Sequence, residues 1–184
     1  MLWLCSDPHL GNENILGYCN RPYRNPRKMN KGIISNINKC LKPDDFLIIV
    51  GDFTLKGKAH VYQTEQWIRA INCKRKILVL GNHDVLNAMD YVKMGFWSVH
   101  THLELPHLGA VCVHDTAAAT MNRKLLFICG HVHDQYRVCK NVLNVCLDAW
   151  NLFPISERKV LKIKQDLINN GTINDYKPTG DFIL

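Results

Sequence analysis

Apolar residues come along this chain in short runs, each closed by a polar cluster. The runs Leu2 to Cys5, Phe46 to Val50, Lys76 to Leu80, Ala110 to Val113, Leu125 to Cys129 and Val142 to Val145 have the length of strands, and their near-continuous hydrophobicity fits strands buried on both faces. Between them the period becomes helical. Asn25 can cap, Pro26 suits a first helical turn, and Met29, Ile33, Ile34, Ile37 and Leu41 recur at helical spacing before Pro43 stops the pattern. A second helix is predicted over Val61 to Ile71 and a third after Asp84, while Ser156 to Ile168 fits either a helix or a strand. Strands alternating with helices early and crowding together later predict an α/β domain with a mixed sheet or two stacked sheets. No repeat, low-complexity segment or linker divides the chain, so one domain over residues 1–184 is expected, with a polar, loosely held tail from about Asn169.

The polar clusters fall at the carboxyl ends of the predicted strands. In order they are Asp7-Pro8-His9, Gly51-Asp52, Gly81-Asn82-His83-Asp84, His114-Asp115 and Gly130-His131-Val132-His133. Ligands bind at that edge of open α/β sheets, so five loops would converge on one place. Five of the nine histidines lie in these clusters; His60, His100, His102 and His107 lie elsewhere. Asp7, His9, Asp52, Asn82, His114, His131 and His133 together offer hard oxygen and borderline nitrogen donors, the mixture that suits Mn, Fe, Co, Ni or Zn. Seven donors exceed one ion's needs, and two ions sharing a carboxylate would use them all. Asp52 is the natural bridge. Side chains at i and i+2, as in Asp7/His9 and His131/His133, meet only where the backbone leaves strand geometry, which Gly11, Gly51, Gly81 and Gly130 would permit. Asp84 either orients His83 or caps the next helix, and Asp115 reads as a turn residue.

Charge adds a weak pointer. Lys and Arg outnumber Asp and Glu by 23 to 16, a formal +7, which favours an anionic partner. Eight cysteines without a Cys-x-x-Cys pair, several inside apolar runs, read as free thiols. No apolar run reaches the roughly 18 to 20 residues of a membrane span, and the apolar start meets Ser6-Asp7 too soon for a signal peptide. A soluble cytoplasmic protein is expected.

In their order, Asp7-x-His9, Gly51-Asp52, Gly81-Asn82-His83-Asp84, His114 and Gly130-His131-x-His133 resemble the calcineurin-like metallophosphoesterase superfamily. The stretch Tyr18-Cys19-Asn20-Arg21-Pro22-Tyr23, Met29-Asn30 and the late Asn144-Val145 with Asp148-x-Trp150-Asn151-x-x-Pro154-Ile155-Ser156 further resemble a small bacterial and phage branch of phosphoesterases. The resemblance covers residues 2 to about 165. It implies an α-β-β-α sandwich, two mixed sheets stacked and flanked by helices. It also implies a centre with Asp7, His9, Asp52 and His133 on one metal and Asp52, Asn82, His114 and His131 on the other. Mn is the first choice of metal, with Fe, Ni, Co or Zn as alternatives.

The expected reaction is hydrolysis of a phosphate ester, first a phosphodiester of a nucleotide or other small molecule, by metal-activated water with His83 as general acid. A nuclease acting on DNA or RNA is the alternative, and a non-catalytic scaffold is disfavoured because His83 and every donor are present. Two positions depart from the branch's pattern, Asn12 after Gly11 and Asp115-Thr116 after His114. Both would line the rim, which makes Asn12 a substrate-binding candidate. Arg21 is the other, with a guanidinium suited to a phosphate and Tyr18 and Tyr23 near for stacking. Lys28 and Lys31 read as solvated surface.

Overall fold

The computed structural model describes residues 1–55, 61–119 and 124–174; His60 and the end of the polar tail lie outside them. Two five-stranded sheets stack on each other. The first runs in the order β10 (Ile155–Ser156), β1 (Leu2–Cys5), β2 (Phe46–Val50), β3 (Arg75–Val79) and β4 (Ser98–His100), with β1 to β4 parallel and β10 antiparallel at the edge. The second runs β5 (Leu103–Leu105), β6 (Ala110–Cys112), β7 (Leu126–Cys129), β9 (Val142–Asn144) and β8 (Val138–Cys139). Its three inner strands are parallel, and β5 and β8 pair antiparallel at its edges. Helices flank the sheets: α1 (Asn14–Tyr18), α2 (Pro26–Cys40), α3 (Val61–Ala70), α4 (Ala88–Met94) and α5 (Glu157–Asn169). This is the stacked, helix-flanked α/β arrangement expected.

The period of two decides which residues meet which layer. In β2, Leu47 and Ile49 join Met29, Ile33 and Ile37 of α2, Ile68 of α3 and Tyr91 of α4 in one core. Ile48 and Val50 face the other way and pack with Leu4, Ile77 and Val79 against Cys112, Leu126, Ile128 and Leu143 of the second sheet. The first sheet is thus apolar on both faces, which is why its strands read as unbroken apolar runs. Each such Leu or Ile, fully buried, contributes about 1.5–3 kcal/mol. Helix α2 starts as the sequence predicts, with Asn25 Oδ1 accepting from the Lys28 amide at 3.0 Å and Pro26 in the first turn. The Ser156 to Ile168 stretch is helical: α5 begins at Glu157, capped by Ser156, which also ends the short strand Ile155–Ser156. All eight thiols are free. No helix among the described residues is long and apolar enough to cross a membrane.

Candidate metal centre

Because the inner strands of both sheets run parallel, their carboxyl ends open on the same side, and the polar clusters meet there. The pairing of β1 with β2 continues past the strands: the amides of Asp7, His9 and Leu10 donate to the carbonyls of Gly51, Asp52 and Phe53 at 3.0–3.1 Å. A parallel bridge between Ser6 and Cys146 ties the loop after β1 to the chain following β9.

The turning required by the i, i+2 spacing is made by the donors themselves. Asp7, His9, Asp52, His131 and His133 all have positive φ, between 46° and 72°. Left-handed backbone costs an ordinary residue about 1–2 kcal/mol, and such strain concentrates where function holds it in place. Of the four glycines expected to supply the turns, Gly11 and Gly51 do so, with φ of 82° and 88°. Gly81 and Gly130 supply space instead. A Cβ on Gly130 would lie 2.5 Å from Asp7 Oδ2, and one on Gly81 would lie 2.5 Å from the Asp52 amide.

Seven predicted donors form two groups. Asp7, His9 and His133 make one, and Asp52, His114 and His131 the other, each with its donor atoms within 4.8 Å of one another. Asn82 joins the second group, its Oδ1 lying 3.1 Å from both His114 Nε2 and His131 Nδ1. Asp52 Oδ2 stands between the groups, 3.6 Å from His9 Nε2 and 3.3 Å from His114 Nε2. Its other oxygen accepts from the His83 amide at 2.9 Å, so the carboxylate is pinned on one side and free toward the centre on the other. Asp7 is divided the same way. Its Oδ2 accepts from Ser6 Oγ, Cys146 Sγ and the His131 amide, while its Oδ1 is buried with no hydrogen-bond partner.

That orphan oxygen tests whether the residues fit a metal. Both ring nitrogens of His9 are also buried without a partner, and His9 Nε2 lies 3.4 Å from Asp7 Oδ1. Buried polar atoms left unpaired cost about 1–3 kcal/mol each, a cost that a bound cation would remove. The histidine tautomers agree. His114 Nδ1 donates to the Val50 carbonyl and His133 Nδ1 donates to Asp148 Oδ2, both at 2.8 Å, which leaves each Nε2 directed at the centre. The field is that of a cation site. Burial opposes charge on His114 and His133, but hydrogen bonds to Asp52 and to Asp148 push their pKa values up to about 9 and about 10. Burial would likewise raise the Asp7 and Asp52 carboxyls. Asp7 is held below the usual range by its contact with His9 and by the charge of His114, and Asp52 by its contact with His114.

The sequence matches the calcineurin-like phosphoesterase family model over residues 1–172. The chain belongs to this family. The uncharacterized protein MJ1445 of Methanocaldococcus jannaschii is 27% identical over 95% of this chain and 97% of its own length. The crystal structure of AQ665 from Aquifex aeolicus, a protein of unknown function, superposes with a TM-score of 0.70 at 25% identity, covering 89% of this chain and 98% of that one.

In this calcineurin-like chain His83 stands beside the donors without joining either group. Its Nε2 is 3.9 Å from Asp52 Oδ2, its ring meets that of His9 edge-on at 5.5 Å, and its side chain is 43% exposed. Asn12 joins neither donor group; it lines a cleft, its amide donates to the His9 carbonyl and its Oδ1 accepts from the Asn14 amide.

Arg21 requires a correction. Its side chain is buried and its donors are spent inside the protein: Nε and Nη2 on Asp148 at 2.7 and 2.9 Å, Nη2 also on the Asp7 carbonyl, and Nη1 on the Pro8 carbonyl and Met29 Sδ. No N–H remains for a substrate phosphate. The guanidinium instead fixes the left-handed turn at Asp7 and holds Asp148 against His133. Neither expected stacking partner serves that role: Tyr23 packs on Gly32, and Tyr18 is mostly solvent-exposed.

Asp84 takes neither role expected of it. Asn87 caps α4, while Asp84 accepts from the amides of Gly81, Asp52 and Phe53 at 2.8–3.0 Å. Burial raises its pKa to about 6. Asp148 and Ser6 are site residues whose roles sequence reasoning missed, while Asp84 was placed in the site with a different role. The signal for Asp148 was its place in the Asp148-x-Trp150-Asn151 motif; Ser6 carries no pattern distinct from a turn. Cys19 also lies within reach of His133 and Asp148, but that carboxylate is already committed to Arg21 and His133. Asp115 forms the turn expected of it, accepting from the Ala117 amide.

A carboxylate behind a metal-ligating histidine orients the ring and raises its basicity, and losing it typically costs 10–100-fold in metal affinity. Asp148→Asn is therefore expected to weaken Mn binding by that factor and to lower the thermal midpoint, since it strands the Arg21 guanidinium. Calorimetric titration of the EDTA-treated chain with Mn checks this. Unchanged affinity would leave Asp148 a purely structural partner of Arg21.

Proposed function

We propose that the chain is a two-metal phosphoesterase hydrolysing a phosphate ester, first of all a phosphodiester of a nucleotide or similar small molecule. The observation that carries this reading is the single oxygen, Asp52 Oδ2, placed between two groups of donors. Asp7, His9, His133 and Asp52 would hold one divalent ion, and Asp52, Asn82, His114 and His131 the other, with Mn the first metal to try. When bound, two such ions supply charge neutralisation on a phosphoryl group and a water acidic enough to attack near neutral pH.

The chain's own residues have separate tasks. Asp7 and Asp52 offer one oxygen each to the centre and keep the other in hydrogen bonds that fix the carboxylate plane. The Val50 carbonyl and Asp148 hold His114 and His133 with Nε2 inward. His83, its side chain exposed and outside both donor groups, is free to give a proton to the leaving oxygen from Nε2. The formal +7 charge favours an anionic substrate and keeps a nuclease as the second reading.

The test is hydrolysis of bis(4-nitrophenyl) phosphate. Turnover is expected with added Mn, lost on treatment with EDTA and restored on reloading. Absence of turnover with Mn, Ni, Co, Fe and Zn on this ester and on a panel of nucleotide diesters would overturn the reading. Digestion of single-stranded DNA or RNA, with nucleotide diesters left intact, would transfer it to the nuclease.

A further inference from the structure

A cleft of about 840 Å³, a size typical of small-ligand sites, is lined by chain that continues from the donor loops. It begins where two donor loops end: Asn12 follows His9 by three residues, Leu55 follows Asp52 by three, and both line it. The two loops are tied by the parallel bridge between Leu10 and Thr54, so the cleft and the donors share one frame.

Two helices form the walls, and each presents a pair of side chains four residues apart, hence on one face. From α2 come Arg27 and Lys31; from α3 come Gln63 and Trp67. Arg27 and Lys31 are exposed and make no ion pair among the described residues. Glu13, next to Asn12, is the acidic side chain among those lining the cleft. Trp67 is half-buried, packed against the core beneath while lining the cleft. An aromatic ring and two cations without an ion pair among the described residues, lining one cleft, form a combination that suits a flat base joined to an anion: stacking on an aromatic ring is worth about 1–3 kcal/mol per base, and a guanidinium binds phosphate oxygens in pairs.

We propose that this cleft binds the part of the substrate beyond the scissile phosphate, a nucleoside whose base lies on Trp67 and whose further phosphate is held by Arg27 and Lys31. The inference rests on the phosphoesterase reading and deepens it, moving substrate recognition from Arg21 to the α2–α3 cleft. The ligand chemistry has two sources, a free dinucleotide or the end of an oligonucleotide.

The test separates binding from turnover. A fluorescein-labelled 5′-phosphorylated diadenylate is titrated against the Mn-loaded chain by anisotropy, and its hydrolysis is followed in parallel with that of bis(4-nitrophenyl) phosphate. Arg27→Gln combined with Lys31→Gln, both exposed positions that leave the core intact, is expected to weaken diadenylate binding and raise its KM at least tenfold. kcat/KM on bis(4-nitrophenyl) phosphate should stay within twofold. Trp67→Leu is expected to weaken diadenylate binding by a similar factor. No binding by the parent chain at millimolar diadenylate, or equal binding by parent and double variant, would overturn the cleft assignment even if the chain proves an active esterase. Binding that depends on Arg27 and Lys31 without turnover of any ester would support the cleft and overturn the phosphoesterase reading instead. Competition identifies the source: a ten-residue oligoadenylate displacing the probe more tightly than unlabelled diadenylate points to a chain end, and equal displacement to a free dinucleotide.

Discussion

Asp52→Asn is expected to take bound metal from two ions per chain to one or fewer and to cut turnover of bis(4-nitrophenyl) phosphate by about a thousandfold, or roughly 4 kcal/mol in the barrier. Asp52 Oδ2 is a carboxylate oxygen placed against donors of both groups, 3.6 Å from His9 Nε2 and 3.3 Å from His114 Nε2. Its charge would serve both ions, so its removal weakens both sites where loss of a terminal donor weakens one. The amide also constrains the hydrogen bonding on the far side. Asp52 Oδ1 accepts from the His83 amide, and an Asn that turned its NH2 group there would oppose donor to donor. Elemental analysis after reconstitution, paired with steady-state kinetics, checks both halves. Two retained ions with parental activity would show that the bridge lies elsewhere, and His114→Ala, expected to lose chiefly one ion, provides the comparison.

The sequence made the donors legible because each lies where a strong local signal ends. Five polar clusters terminating five apolar runs is a pattern that scatter does not produce, and parallel strands bring such ends to one edge. The strand starts and stops were nearly as clear: β1 and β2 occupy the predicted residues, β6, β7 and β9 differ by one residue at one end, and β3 is shifted by one residue. What escaped were elements too short to show a period: the five-residue helix α1, and the strands β4, β5, β8 and β10, which owe their existence to pairing with a neighbour. The direction in which a side chain points escaped as well. Arg21 sits in a basic, aromatic stretch and looks like a surface residue, yet it turns inward, because Asp148, far along the chain, supplies the buried carboxylate that the guanidinium needs. A charge pair separated by 127 residues leaves no local trace. Lys31, by contrast, read as solvated surface, and it is exposed; what the sequence did not convey is that α3 stands opposite it and makes a cleft of that surface.

His83→Ala is expected to leave both metals in place and to lower kcat on a diester with a nucleoside leaving group by two to four orders of magnitude, the usual worth of a positioned general acid. The geometry separates it from the ligands. His83 stands outside both donor groups, its side chain is 43% exposed, and its Nε2 is 3.9 Å from Asp52 Oδ2, near enough to reach a group bound at the centre. Its position is nonetheless fixed, because its amide donates to Asp52 Oδ1 and its ring lies edge-on to His9. A nucleoside alkoxide cannot depart without a proton, whereas nitrophenolate is stable enough to leave unaided, so bis(4-nitrophenyl) phosphate should lose much less than the nucleotide. The dependence of rate on leaving-group basicity should steepen accordingly in the variant. The exposed ring supports little packing, so the thermal midpoint should shift by no more than a surface substitution does. Equal losses on both esters, with metal content unchanged, would mean that His83 stabilises the phosphoryl group and transfers no proton. Loss of metal in parallel with activity would place His83 among the residues that hold the centre together through Asp52.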